Sequence, residues 1–189
     1  MSDANEGTAP AARAASAGRA PPTVPLTGSG WRWLPLSAAI ILADHLVKAW
    51  LMHHFAPFER VHVLAVLDII LTYNTGAAFS FLAEASGWQR WLFVVLALGV
   101  STALIFWMRR LNARIHGLLA CGLALIVGGA LGNLIDRLFI GRVVDFIHVH
   151  WGRAYFPAFN IADSAITIGA VILLIDAWRE SHMAKKVRR

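Results

Sequence analysis

Four apolar stretches dominate this chain, at residues 33–51, 91–108, 115–135 and 162–178. Each is long enough to cross roughly 30 Å of hydrocarbon as a helix. In lipid a backbone must satisfy its own hydrogen bonds, so apolar runs of this length read as spanning helices and not as strands. The second run carries no charge, the first is interrupted by Asp44 and Lys48, the third turns glycine-rich, and the fourth opens on Asp163 and nears its end at Asp176. Only 15% of the residues are charged and 58% are hydrophobic, whereas a soluble domain carries about 25% charged residues. An ordinary soluble domain and a disordered chain are both excluded. At 189 residues the chain is one compact membrane domain, too short for a transporter built from large paired repeats. The single cysteine, Cys121, lies inside the third run, excludes an internal disulfide, and reads as a small packing residue.

Three segments are expected: a tail over 1–30, a four-helix domain over 31–180, and a basic tail over 181–189. The first is rich in Ala, Pro, Ser, Gly and Thr and cannot bury apolar area, so it is expected to be disordered. It does not read as a secretory leader, because the apolar run comes too late. Lys and Arg set the orientation. Eleven lie on the side holding both termini and the loop with Arg109, Arg110 and Arg114, against five (Arg60, Arg90, Arg137, Arg142, Arg153) on the other. Both termini are therefore expected in the cytoplasm and the long loops outside. Trp33, Trp50, Trp91, Trp107 and Trp178 mark the ends of the runs, where indoles prefer the headgroup level. Within the first outer loop, residues 61–73 read as one or two short strands, and Asn74-Thr75-Gly76 as a turn. Residues 77–85 read as a segment lying on the membrane face.

Ionisable groups in or beside a membrane are costly and are functional candidates for that reason. Asp44 and Lys48 stand one helical turn apart and read first as an internal ion pair. A serine–lysine protease needs a neutral lysine base, and a lysine paired with Asp44 does not suit that role. Asn74 offers an amide beside a flexible turn, either a plain turn residue or a contact to a substrate peptide. Asn133, Asp136 and Arg137 share one helical face after a stripe of small residues, which reads as helix packing plus a local Asp136–Arg137 pair. Asp145 is flanked by apolar groups, which disfavours a free charge. On one straight helix it would stand opposite Asp136, so those two acids are not expected to work together. Asn160 reads as the cap of the fourth helix, with Asp163 in its first turn.

Asp145 and Asp163 could bring two carboxyls to the outer edge of the bundle. Two close carboxyls share a proton, so one can act as base toward water and the other as acid toward a carbonyl oxygen. That is peptide hydrolysis without a metal. Two other classes use the same acids: a small proton-coupled transporter, and a metal-dependent membrane hydrolase. His148 and His150, with His53 and His54, make zinc conceivable, but no His-Glu-x-x-His run is present. Neither a nucleotide-binding glycine loop nor a basic, aromatic-interleaved nucleic-acid surface is visible, so no cofactor and no nucleic-acid partner are expected.

Five blocks, in order, are similar to one family: Asp44-His-Leu-Val-Lys48, Asn74-Thr-Gly76-Ala-Ala-Phe, Gly129-Ala-Leu-Gly-Asn133-Leu-Ile-Asp136-Arg137, Val144-Asp145-Phe146 and Phe159-Asn160-Ile-Ala-Asp163. Over residues 34–178 the chain resembles bacterial lipoprotein signal peptidases (signal peptidase II), intramembrane aspartyl peptidases. The resemblance implies an all-α membrane protein: four transmembrane helices with a small extracytoplasmic β-cradle and an amphipathic helix. It implies removal of the signal peptide from diacylglyceryl-modified prolipoproteins, just before the lipidated cysteine, in the bacterial inner membrane. It implies Asp145 and Asp163 as the catalytic pair and no metal. Asp44, Lys48, Asn74, Gly76, Asn133, Asp136, Arg137 and Asn160 match positions that line or support the site. Lipidated prolipoproteins, membrane lipids and the cyclic peptide globomycin are the implied partners, and a monomer is expected. The tail over 1–30 is longer than the family needs.

Overall fold

The structure is a computed structural model that describes residues 28–75 and 87–187. Among these, four helices are long and apolar enough to cross a membrane. They are α1 (Leu34–His54), α2 (Trp88–Arg110), α3 (Gly117–Phe139) and α4 (Ile161–Val187). At 1.5 Å per residue, the 23 residues of α3 span about 35 Å, enough for the hydrocarbon layer. Pro35, in the first turn of α1, suits a position whose N–H has no helical partner. Gly87, at φ 88°, supplies the left-handed turn that starts α2. Each apolar run becomes a helix that continues past the end of the run; α1 and α3 begin one and two residues after their runs do. The turn expected at Asn74-Thr75-Gly76 loses its glycine, and the surface segment 77–85 is lost entirely, to the region outside the described residues.

Helix α3 is the centre of the bundle and packs against α1, α2 and α4. More than half of its most apolar window (56%) is buried, against 17–22% in the other three helices, whose apolar faces are left for lipid. Small residues let α4 come close. Gly122 and Gly169 face each other so that a Cβ on either would press on the other's carbonyl oxygen. Gly129 lies directly against the Ala162 carbonyl. Packing of this kind, not hydrophobic exclusion, holds helices together in lipid.

A four-stranded antiparallel sheet in the order β1-β2-β3-β4 caps one end of the bundle. Its strands are β1 (Arg60–Leu64), β2 (Leu67–Asn74), β3 (Val143–Trp151) and β4 (Ala154–Tyr155). The expected strands at 61–73 are thus two, paired as a hairpin. The sequence reading misses strand β3, although its β-branched residues favour one. Helix α3 stops at Phe139, Gly141 turns at φ 83°, and the chain doubles back as β3, so Asp136 and Asp145 do not share a helix. A buried cluster of Leu51, Leu71, Val144 and Phe146 fastens the sheet to the end of α1.

Described residues at both expected tail boundaries belong to folded elements. The 1–30 segment ends in the fold: Ser29 is fully buried, Gly30 N donates to Leu111 O (3.0 Å), and Gly28 O accepts from Ala113 N (2.8 Å). The 181–189 segment is largely the last turns of α4, which runs to Val187.

Candidate active site

Strand β3 and the start of α4 meet below the sheet. The segment before α4 runs along β3, with Phe159 O accepting from Phe146 N (3.0 Å) and Ile147 N (2.8 Å). This pairing sets Asn160, fully buried, against Asp145, which is 2% exposed. Asn160 Nδ2 donates to Asp145 Oδ1 at 2.7 Å, and also approaches Asn133 Oδ1 and Val144 O at 3.2 Å. Its other atoms close a reciprocal cap on α4: Asp163 N donates to Asn160 Oδ1 (2.8 Å) and Asn160 N donates to Asp163 Oδ2 (3.3 Å). The cap read from the sequence is therefore real, and it also joins the two acids.

Each carboxyl takes one further amide. Asn74 Nδ2 donates to Asp145 Oδ2 at 3.2 Å, a diagonal neighbour across β2 and β3, where Thr72 faces Asp145. Asn133 Nδ2 donates to Asp163 Oδ1 at 2.7 Å. Asp163 is only partly buried and forms the more open side of the pair. Burial, and then the charge of Asp163, push the Asp145 carboxyl up to about 7, while Asn74, Lys48 and Asn160 pull the other way.

The expected Asp44–Lys48 pair is present, fully buried, with Lys48 Nζ 2.6 Å from Asp44 Oδ2. The expected local Asp136–Arg137 pair is not. Asp136 turns inward instead, its Oδ2 lying 2.7 Å from Lys48 Nζ, while Arg137 Nη1 donates to Asn133 O at 3.2 Å. Side chains one residue apart on a helix diverge, and a buried lysine on α1 outcompetes the neighbour. The guanidinium of Arg137 sits 4.9 Å over the Phe93 ring and is attracted to Asp163, Asp145 and Asp136. The three-membered ion cluster reaches both acids through the backbone. Asp136 Oδ2 accepts from Val144 N (3.1 Å), next to Asp145, and Asp44 Oδ1 accepts from Ala162 N (3.1 Å), next to Asp163.

Asp44, Lys48, Asn74, Asn133, Asp136, Arg137, Asp145, Asn160 and Asp163 are thus one connected set; Gly76 lies outside the described residues. The histidines divide differently from the sequence reading. His53 and His54 end α1 and pack on each other, whereas His150 joins His62 and the wholly buried Asp68 on the sheet. The sequence reading misses Asp68, though an acid inside an otherwise apolar run, Leu67–Leu71, is a visible signal.

The family model described as signal peptidase (SPase) II matches residues 36–179. A lipoprotein signal peptidase of Shewanella sp. (strain MR-4) is 50% identical, covering 84% of this chain and 94% of its own. One from Pseudomonas aeruginosa (strain UCBPP-PA14) is 52% identical, over 78% of this chain and 88% of its own. A solved bacterial membrane enzyme structure superposes with a TM-score of 0.70 at 28% identity, covering 79% of this chain and 89% of that one.

Proposed function

The chain belongs to the signal peptidase II family, and from that premise we propose that it removes signal peptides from diacylglyceryl-modified prolipoproteins, cleaving just before the lipidated cysteine. The observation that carries the reading is Asn160, which holds Asp145 with its side chain and Asp163 through a reciprocal cap. Two carboxyls set by one residue from two different elements form a preorganised acid–base pair.

In this reading the pair shares one proton, carried by Asp145, the more deeply buried of the two carboxyls. The ionised Asp163 takes a proton from water as the oxygen attacks the scissile carbonyl carbon. Asp145 gives its proton to the carbonyl oxygen, so the tetrahedral intermediate forms without net charge on that oxygen. On collapse the departing nitrogen receives the proton held by Asp163, the C–N bond breaks, and Asp145 recovers its proton from the intermediate's hydroxyl. Asn74 and Asn133 keep the two carboxyls aimed, and Asp44, Lys48 and Asp136 position the backbone beside each. The chain works from the outer face of the inner membrane with both termini in the cytoplasm, an orientation supported by the eleven-to-five distribution of Lys and Arg.

The test uses the purified full chain in detergent with a diacylglyceryl-modified prolipoprotein peptide, with and without a chelator. Cleavage before the lipidated cysteine, unaffected by chelator and inhibited by globomycin, is expected. Asp145→Asn and Asp163→Asn should each bind globomycin and cleave nothing. Turnover that vanishes with chelator would move the chain to the metal-dependent class, and turnover retained by Asp145→Asn would dissolve the pair.

A further inference from the structure

A second cluster of chemistry-bearing side chains lies on the sheet, at the β1–β2 hairpin end, while Asn74 and Asp145 lie toward the other end. We propose that His62, Asp68 and His150 form a binding site for a divalent transition-metal ion of the zinc class, separate from the catalytic pair. The three come from neighbouring strands β1, β2 and β3, and each offers a ligand atom within 4.8 Å of the others. His62 Nδ1 lies 2.6 Å and His150 Nε2 lies 3.3 Å from Asp68 Oδ1. Ligands about 2.0–2.2 Å from a tetrahedral ion stand roughly 3.3–3.5 Å apart, so the second distance already fits one edge. The first is a hydrogen bond that must open by under about 1 Å, and His62, with 74% of its side chain exposed, is free to swing.

Unmet hydrogen-bonding capacity distinguishes this cluster from an ordinary buried acid. Among the described residues, His150 Nδ1 and Asp68 Oδ2 are buried without a hydrogen-bond partner, and His150 Nε2 meets only Asp68 Oδ1. Such groups are costly unless something satisfies them. Two imidazoles and one carboxylate select zinc, nickel, cobalt or copper over magnesium and calcium. Tyr155 walls the site, its ring 5.3 Å from that of His150. Arg60 opposes a cation, standing 3.7 Å from Asp68 Oδ2 and 5.2 Å over the Tyr155 ring. Its charge tunes the site toward weaker, exchangeable binding. Loaded, the ion ties three strands together; it takes no part in peptide hydrolysis.

The experiment titrates zinc alone, and separately cobalt for its absorption spectrum, into tag-free full-length protein in detergent. One equivalent is expected to bind saturably, with a rise in the thermal unfolding midpoint and a cobalt spectrum showing nitrogen ligation. His62→Gln and His150→Gln should each weaken binding by about tenfold or more, and His62→Gln should remove the thermal shift. Arg60→Gln should tighten binding, and a His53→Gln, His54→Gln double variant should leave it unchanged. His62 is exposed, so its variant folds and isolates the ligand effect. Absence of a saturable equivalent, binding indifferent to His62→Gln, or binding lost in the His53/His54 variant would each overturn the proposal.

Discussion

Replacing Lys48 by methionine strands two buried carboxylates at once. Lys48 is 1% exposed and lies between Asp44 Oδ2 (2.6 Å) and Asp136 Oδ2 (2.7 Å), which are themselves fully buried and 2% exposed. Methionine keeps most of the stem's volume, so the loss is electrostatic and not a cavity. Removing one partner of a buried pair costs about 3–5 kcal/mol, roughly a fifth or more of a typical total stability. Reversible unfolding of the purified protein in mixed micelles should register that loss. A cycle with Asp44→Asn tests the cause. The amide oxygen that this substitution introduces can still accept from Ala162 N, and one of the two stranded charges is gone. The double variant should therefore be no less stable than Lys48→Met alone. Activity tests the second half of the reasoning. The same carboxylates hold Val144 N and Ala162 N at 3.1 Å, each next to one of the two acids proposed as the catalytic pair. Displacement of either by even 1 Å should lower kcat per folded molecule on the order of a hundredfold. A Lys48→Met protein within about 1 kcal/mol of the parent, or two losses that simply add in the double variant, would refute the buried-triad account.

Stability should depend on pH through Asp145. The native carboxyl keeps its proton up to about 7 while the unfolded chain loses it near 3.8, so the native state binds more protons between those values. Stability therefore falls as pH rises through that window, by roughly 4 kcal/mol in all, and Asp145→Asn should flatten the profile; an equal slope in the variant contradicts it. In kcat/KM the same proton is lost above about pH 7, and Asn74→Ala, which removes a hydrogen bond favouring the charged form, should move that alkaline limb upward. Gly129→Ala would drive a methyl group into the Ala162 carbonyl and Ile166, so a loss of about 1–3 kcal/mol with collapse of turnover is expected, whereas Gly117→Ala, with open space around it, should be silent in both assays. An extracytoplasmic-active reporter inserted near Gly152 should be active and one fused after Arg189 inactive; the opposite pattern would reverse the orientation.

The membrane class, the four spans and the candidate acids were legible in the sequence because each is a local property. About twenty apolar residues in a row must become a helix in lipid whatever surrounds them. Asn160 and Asp163 likewise formed the cap that their spacing foretold. Pairing was decided only by the tertiary structure. Asp136 stands beside Arg137 in the chain yet bonds to Lys48, because a helix sends adjacent side chains in different directions and α1 packs on α3. Asp136 and Asp145, placed apart by helical arithmetic, became linked through Val144 N once the chain doubled back after Gly141. Strand β3 went unread although its β-branched residues Val143, Val144, Ile147 and Val149 favour a strand; its pairing with β2 is what the tertiary structure decided. The gathering of His62, Asp68 and His150 was equally invisible, since three residues drawn from three strands share no local signal. A sequence carries periodicity and caps within a few turns; which distant carboxylate meets which distant cation depends on how the helices and sheet pack.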